Sequence, residues 1–180
     1  MSHNLLVRVT HWINFLSFVA LAVSGVAILM AHPRFYWGES GYFDTPAAFE
    51  LPLSVNLDQT GWGRDLHFLA AWIAVINGSI YVVWSLVLRH FRFTEYKYLQ
   101  RLAYLSVIFG LLPLTILTGL TLSPAVTAAF PMLFAIFGGR QSARTIHFFA
   151  ADLLVLFLIV HVIMTIRSGS VNSMIGAGAK

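Results

Sequence analysis

The sequence predicts an all-α membrane protein, a four-helix transmembrane bundle. Three observations carry that reading. Of the 180 residues, 58% are hydrophobic and only 10% charged, against a usual charged share of about 25%. The charges bound four apolar stretches, each long enough to cross a bilayer. Four of the seven histidines fall inside the spans these stretches predict. The same figures exclude a disordered chain and a nucleic-acid binder, because the bases behind the net charge of +4 are scattered in ones and twos. Cysteine is absent. That excludes disulfides, thiolate-ligated zinc, iron–sulfur clusters and covalent haem attachment.

The spans follow in chain order. Arg8 and Arg34 enclose 25 uncharged residues, and Asp65 and Arg89 enclose 23. Arg101 and Arg140 enclose 38, and Arg144 and Arg167 enclose 22 interrupted only by Asp152. A helix needs about 20 apolar residues to cross about 30 Å of hydrocarbon. The first, second and fourth stretches each fit one span, at about 11–31, 66–88 and 145–166. The third is broken by Ser123, Pro124 and Pro131. It predicts a span at 102–122 and an interfacial or re-entrant piece at 125–138. Backbone polar groups in lipid must pair within their own segment, so the spans are helices, not strands. A cleaved leader is the rival reading of the first stretch, but its apolar run exceeds the usual core of about 7–15 residues.

Basic residues set the orientation. The side holding both termini carries Arg8, Arg89, Arg92, Lys97, Arg101, Arg167 and Lys180. The other side carries Arg34, Arg64, Arg140 and Arg144, together with an acidic loop at 32–62. Positive residues favour the cytoplasm, so both termini are expected inside, in a bacterial inner membrane. Trp12, Trp37, Trp62 and Trp84 fall near the proposed interfaces, as an aromatic belt does.

His11, His67, His147 and His161 lie inside the spans. His67 and His147 share the outer level, and His11 and His161 the inner one. Within the fourth span, 14 residues separate His147 from His161. At about 100° and 1.5 Å per residue, both rings leave one helix face about 21 Å apart. Arg64 to Ala71 and Arg144 to Ala151 both read R-x-x-H-F-x-A-A, and Arg8 to Trp12 begins the same way. Each arginine lies one turn nearer water than its histidine, where it can pair with carboxylates at the rim of a buried cofactor, as haem propionates are. The alanines keep the histidine face low enough for a flat macrocycle. Gly25 and Gly78 repeat the two levels on the first and second spans, as clearance for a ring or as ordinary close helix packing. Intramembrane histidines are costly and functional by default. Two pairs at two depths suit haem iron. Zinc needs its ligands gathered at one point, and a proton pathway would have Asp152 as its sole membrane-embedded acid. Asp152 itself is expected to pack helices by hydrogen bonding, with proton uptake or haem tuning as the alternatives.

The His-Trp opening the first span, the single early histidine of the second and the H-x13-H pair of the fourth resemble the prokaryotic cytochrome b561 family. That family includes the membrane cytochrome b subunits of nickel–iron hydrogenases, formate dehydrogenases and thiosulfate reductase-like enzymes. The resemblance covers about 12–167. It implies a four-helix bundle holding two non-covalent b-type haems, the outer on His67 and His147 and the inner on His11 and His161, with Arg8, Arg64 and Arg144 beside them. The third span contains no histidine and gives no ligand. Iron held by two histidines has no open position, so no independent substrate chemistry is expected. Two departures stand out: the loop at 32–62 is longer than such a bundle needs, and no cytoplasmic domain is expected.

The loop carries Trp37, Tyr42, Phe43, Phe49 and acids. It reads as a docking surface for a periplasmic redox enzyme, a molybdenum enzyme or a hydrogenase, with a lid over the outer haem as the rival reading. The expected function is electron transfer between that enzyme and the quinone pool. Alternatives are a stand-alone homodimeric quinone oxidoreductase and a histidine-relay transporter. Asn14, Tyr98, Arg101 and Tyr104 have the right depth for a quinone site near the inner level.

Overall fold

The computed structural model describes residues 5–42, 44–52, 61–87 and 98–169. Helix α1 covers Leu5–Ala31. Strands β1, Arg34–Phe35, and β2, Phe49–Glu50, form an antiparallel pair. Helix α2 covers Trp62–Val87. The third span consists of α3, Tyr98–Ser106, a π-helical turn at Val107–Leu111, and α4, Leu112–Leu122. Two short helices follow, α5 at Pro124–Ala129 and α6 at Met132–Phe137. Helix α7 covers Arg140–Arg167. Arg89, Arg92, Lys97 and Lys180 of the orientation argument lie outside the described residues, as do Phe43 and Asp58 of the loop.

Among the described residues, four helical stretches are long and apolar enough to cross a membrane: Leu5–Ala31, Trp62–Ser85, Tyr98–Leu122 and Arg140–Arg167. The shortest has 24 residues, about 36 Å of helix, against about 30 Å of hydrocarbon. These are the four spans expected from the charge pattern. The strand pair lies in the loop between the first two, outside them.

The packing is that of a membrane protein. Buried positions hold small or hydroxylated residues: Ser17, Ser24 and Ala27 on α1, Thr118 and Thr121 on α4, and Ser142, Ala143 and Ala150 on α7. Large aliphatic residues such as Leu16, Val23, Ile76, Leu153 and Ile159 are exposed. Lipid solvates such side chains as well as a protein core does, so helix association relies on close backbone approach through small residues.

The third span bends for an identifiable reason. Pro113 lacks an N–H and its ring crowds the carbonyl four residues back. The helix widens there, and the Leu112 N–H reaches back five residues to the Val107 carbonyl. Ser123 adopts an extended conformation and ends the span, and Pro124 opens α5. Pro131 precedes α6, which closes at Gly138 in the left-handed region, φ 68°. The segment expected at 125–138 is therefore two helical turns split at Phe130–Pro131.

The chain forms two compact units. The first holds α1, α2 and the end of α7 from Leu158 onward. Within it, Asn77 of α2 is buried and donates its side-chain N–H to the Thr10 carbonyl of α1, 2.8 Å away. The second holds residues 32–55, the third span, α5, α6 and α7 as far as Phe157.

Candidate functional site

In the first unit, α2 carries His67 in its second turn, where Nδ1 lies 2.9 Å from the Ser24 hydroxyl of α1. The ring also hydrogen-bonds the Leu21 backbone. Ser24 is fully buried, and its hydroxyl lies 2.7 Å from the Ala20 carbonyl and 3.2 Å from that of Leu21. A hydroxyl has one proton, and these carbonyls can only accept it. With its proton given to these carbonyls, the Ser24 oxygen is placed to accept from Nδ1–H. This network assigns the Nδ1–H tautomer to His67.

The second unit repeats the arrangement. Nδ1 of His147 on α7 lies 3.0 Å from the Thr118 hydroxyl and 3.1 Å from the Thr115 carbonyl of α4. Thr118 is fully buried and donates to the Leu114 carbonyl at 2.7 Å. The Thr115 carbonyl can only accept, which assigns the proton to Nδ1 of His147. In each case the partner helix supplies a hydroxyl at one position and the carbonyl three residues earlier. In each case a glycine follows the hydroxyl. A Cβ at Gly25 would sit 3.7 Å from Cε1 of His67, and one at Gly119 3.3 Å from Cε1 of His147.

These partners were not identified from the sequence. Two of its features mark them: Ser24-Gly25 and Thr118-Gly119 each occupy the span preceding an R-x-x-H-F-x-A-A helix. The third span gives no histidine, and instead fixes the tautomer of one. Gly25 lies against the His67 ring of the neighbouring helix, where a Cβ would make an ordinary contact, in keeping with close helix packing. Gly78 has no atom within 4 Å of its Cβ position. The alanines also differ from expectation. Ala70 and Ala150 are buried at 3% exposure each, so they serve close packing, while Ala71 and Ala151 stay half-exposed.

The turn of α7 before His147 is held by residues 32–38. The Gly38 carbonyl accepts from the Gln141 and Ser142 N–H groups, at 2.9 and 3.3 Å, which caps the start of the helix. The Ser142 hydroxyl accepts from the Gly38 N–H at 2.7 Å, and the Thr145 hydroxyl donates to the Tyr36 carbonyl at 2.8 Å. Gly139 makes this approach possible. Its φ is 118°, and a Cβ there would run into the Gly38 carbonyl.

Arg144 donates to the carbonyls of His32 and Arg34, and its guanidinium carbon lies 4.9 Å from the centre of the Phe35 ring. Phe35, 1% exposed, stacks on Phe49 at 4.5 Å and packs on Phe148 at 4.6 Å. Phe148 directly follows His147. Arg34 and Glu50 form an ion pair across the strands at 3.0 Å, and the Glu50 hydrogen bond and charge hold the Arg34 guanidinium above its ordinary pKa.

His11 and His161 are half-exposed, on α1 and near the end of α7, in the same unit as His67. The His11 ring meets Trp12 edge-on at 5.8 Å. Arg8 is half-exposed and Arg64 exposed. Asp152 is exposed on α7 and is not buried in a helix contact. Of the quinone-site residues, Asn14 is half-exposed on α1, Tyr98 and Arg101 are exposed, and Tyr104 packs edge-on against Phe157 at 5.8 Å.

Neutral imidazoles whose Nδ1–H is held by protein acceptors are the form in which histidine ligates haem iron. The donor set and the small neighbouring residues fit such a group. The family model described as prokaryotic cytochrome b561 matches residues 2–177. A putative protein-methionine-sulfoxide reductase subunit, YedZ1, of Azospira oryzae is 30% identical over 187 residues, covering 87% of this chain and 86% of that protein. No solved structure matches at a comparable level. With four helices able to span a membrane, the chain belongs to the prokaryotic cytochrome b561 family and is a multi-pass membrane haem b protein of electron transfer.

Proposed function

We propose that the chain is the di-haem membrane subunit of an oxidoreductase, moving electrons between the quinone pool and a soluble enzyme on the outer face. His67 and His147 hold the outer haem, and His11 and His161 the inner one. The observation that carries this reading is the matched setting of His67 and His147, each with Nδ1 held against a fully buried hydroxyl of a neighbouring helix. When bound, haem held by two histidines supplies one-electron Fe(III)/Fe(II) chemistry with no open position for a substrate. The protein's own part is to fix ring orientation, exclude water and neutralise propionates. Arg8, Arg64 and Arg144 serve the last role. Arg144 does so with guanidinium N–H groups beyond those given to the His32 and Arg34 carbonyls, since the side chain has five.

Both termini face the cytoplasm of a bacterial inner membrane, which puts residues 32–52 and the His67 and His147 levels on the outer face. A quinone site lies near the inner level. The relative is named as a subunit of a methionine-sulfoxide reductase, which supports a reductase as the soluble partner and electron flow outward from quinol. Molybdenum enzymes and hydrogenases are the other partner classes the resemblance implies. Isolation of the chain from its native membrane, with identification of any large co-purifying soluble subunit, tests this directly. Recovery of a homodimer that reduces or oxidises quinone unaided would instead establish a stand-alone quinone oxidoreductase.

A further inference from the structure

Ser24 and Thr118 repeat one another atom for atom, in different units. Each is fully buried. Each hydroxyl lies 2.7 Å from the carbonyl four residues back, Ala20 or Leu114, and 3.2 or 3.1 Å from the one three back, Leu21 or Thr115. Each faces a histidine Nδ1, at 2.9 or 3.0 Å. Each precedes a glycine lying under that ring. General helix packing does not require this set twice. A buried hydroxyl can be satisfied by its own helix alone, as Thr121 is through the Leu117 carbonyl at 2.9 Å.

We propose that Ser24 and Thr118 are positioning residues that hold Nδ1–H of His67 and His147, and that each thereby lowers the potential of the haem its own histidine ligates. The inference rests on the reading of His67 and His147 as ligands. A hydroxyl that donates to a carbonyl is polarised, and its oxygen becomes a better acceptor. Accepting from Nδ1–H places more electron density on the imidazole. A more basic imidazole favours the ferric over the ferrous ion. The carbonyls of Leu21 and Thr115 share the same rings, so losing the hydroxyl weakens the restraint without removing the acceptor altogether. Haem should therefore stay bound while its potential rises.

The test uses the full-length protein in detergent, with optical redox titration and low-temperature EPR of the ferric form. In Thr118→Val, which keeps the side-chain shape, the reduced-to-oxidised ratio of one haem at its wild-type midpoint should rise severalfold, with altered EPR g-values and full haem content. Thr118→Ser should restore the wild-type midpoint, because the hydroxyl returns. Ser24→Ala should raise the midpoint in the same direction, and it gives an independent reading should Thr118→Val fail to fold. Unchanged midpoints and g-values in both Thr118→Val and Ser24→Ala would overturn the proposal. So would a Thr118→Ser midpoint displaced as far as that of Thr118→Val. The ligand reading fails separately, if His67→Ala or His147→Ala retains full haem content. If Ser24→Ala and Thr118→Val move different haems, the hydroxyl role stands and the pairing of His67 with His147 falls.

Discussion

A Cβ placed on Gly119 would sit 3.3 Å from Cε1 of His147, closer than side chains normally pack. At Gly25 the same atom would lie 3.7 Å from Cε1 of His67, an ordinary contact. Replacing a helical glycine by alanine gains about 1 kcal/mol of helix propensity, and overpacking costs about 1–3 kcal/mol. The gain dominates at Gly25 and the cost at Gly119. Gly25→Ala is expected to keep its haem content, spectrum and stability. Gly119→Ala is expected to displace the His147 ring from Thr118, broadening the low-spin signal of one haem in EPR. A Gly119→Ala protein as unperturbed as Gly25→Ala would show that neither ring depends on the glycine beneath it.

The histidines themselves give a content prediction. His67→Ala and His147→Ala are each expected to lose one haem of two, with the same titration component missing. His11→Ala and His161→Ala are expected to lose the other component. Haem per protein by pyridine haemochrome, with a redox titration of each variant, reads this out. Loss of the same component in His67→Ala and His11→Ala would break the proposed pairing.

Thr145 ties α7 to residues 32–38, two residues before His147. It is buried, and its hydroxyl donates to the Tyr36 carbonyl. Thr145→Val removes the donor, keeps the shape and leaves a buried carbonyl short of a partner, a cost of about 1–3 kcal/mol. Thermal unfolding in detergent should show a lower Tm, and limited proteolysis faster cleavage within residues 32–52. Haem potentials should move less than in Thr118→Val, because Thr145 touches the segment and not the imidazole. A Tm unchanged from wild type would mean that Arg144, Ser142 and Phe35 secure the segment without it.

Four spans were legible in the sequence because bilayer thickness leaves its mark on the spacing of charges. Charges at Arg8, Arg34, Asp65 and Arg89 bracket two spans, and the R-x-x-H frame recurs visibly. The partners of the rings were harder to read. Ser24 and Thr118 are 43 and 29 residues from their histidines, and serine and threonine are common in membrane helices for packing alone. Arg144 was expected at propionates from its one-turn offset. Its bonds to His32 and Arg34 depend on a loop conformation set by Gly139, which no periodicity encodes. The π-turn before Pro113 is the reverse case: the proline was visible, but the widening is one of several ways a helix accommodates it.

The loop at 32–52 divides into a part that holds the helix and a part that faces outward. Tyr36 and Gly38 give their backbone to α7. Trp37, between them, is 65% exposed, and Tyr42 is 68% exposed. Glu39 and Asp44 are exposed beside them. Phe35 and Tyr36 turn inward, and Trp37 after them turns outward. Exposed aromatics of this kind supply the anchors that dominate interface energy, and nearby acids steer encounter more than they add affinity. Trp37→Ala should leave the backbone bonds of Tyr36 and Gly38 in place, along with haem content, potentials and reduction by dithionite. Partner binding should weaken by about 2 kcal/mol, the lower bound for an interface anchor, which is about thirtyfold in Kd. Glu39→Gln with Asp44→Asn should slow association and flatten its salt dependence while changing dissociation little. Stopped-flow transfer of electrons between the haems and the purified soluble partner, across a range of ionic strength, measures both. A Trp37→Ala protein that exchanges electrons with its partner at the wild-type rate and affinity would remove the case for docking and leave this loop as a cover for the end of α7.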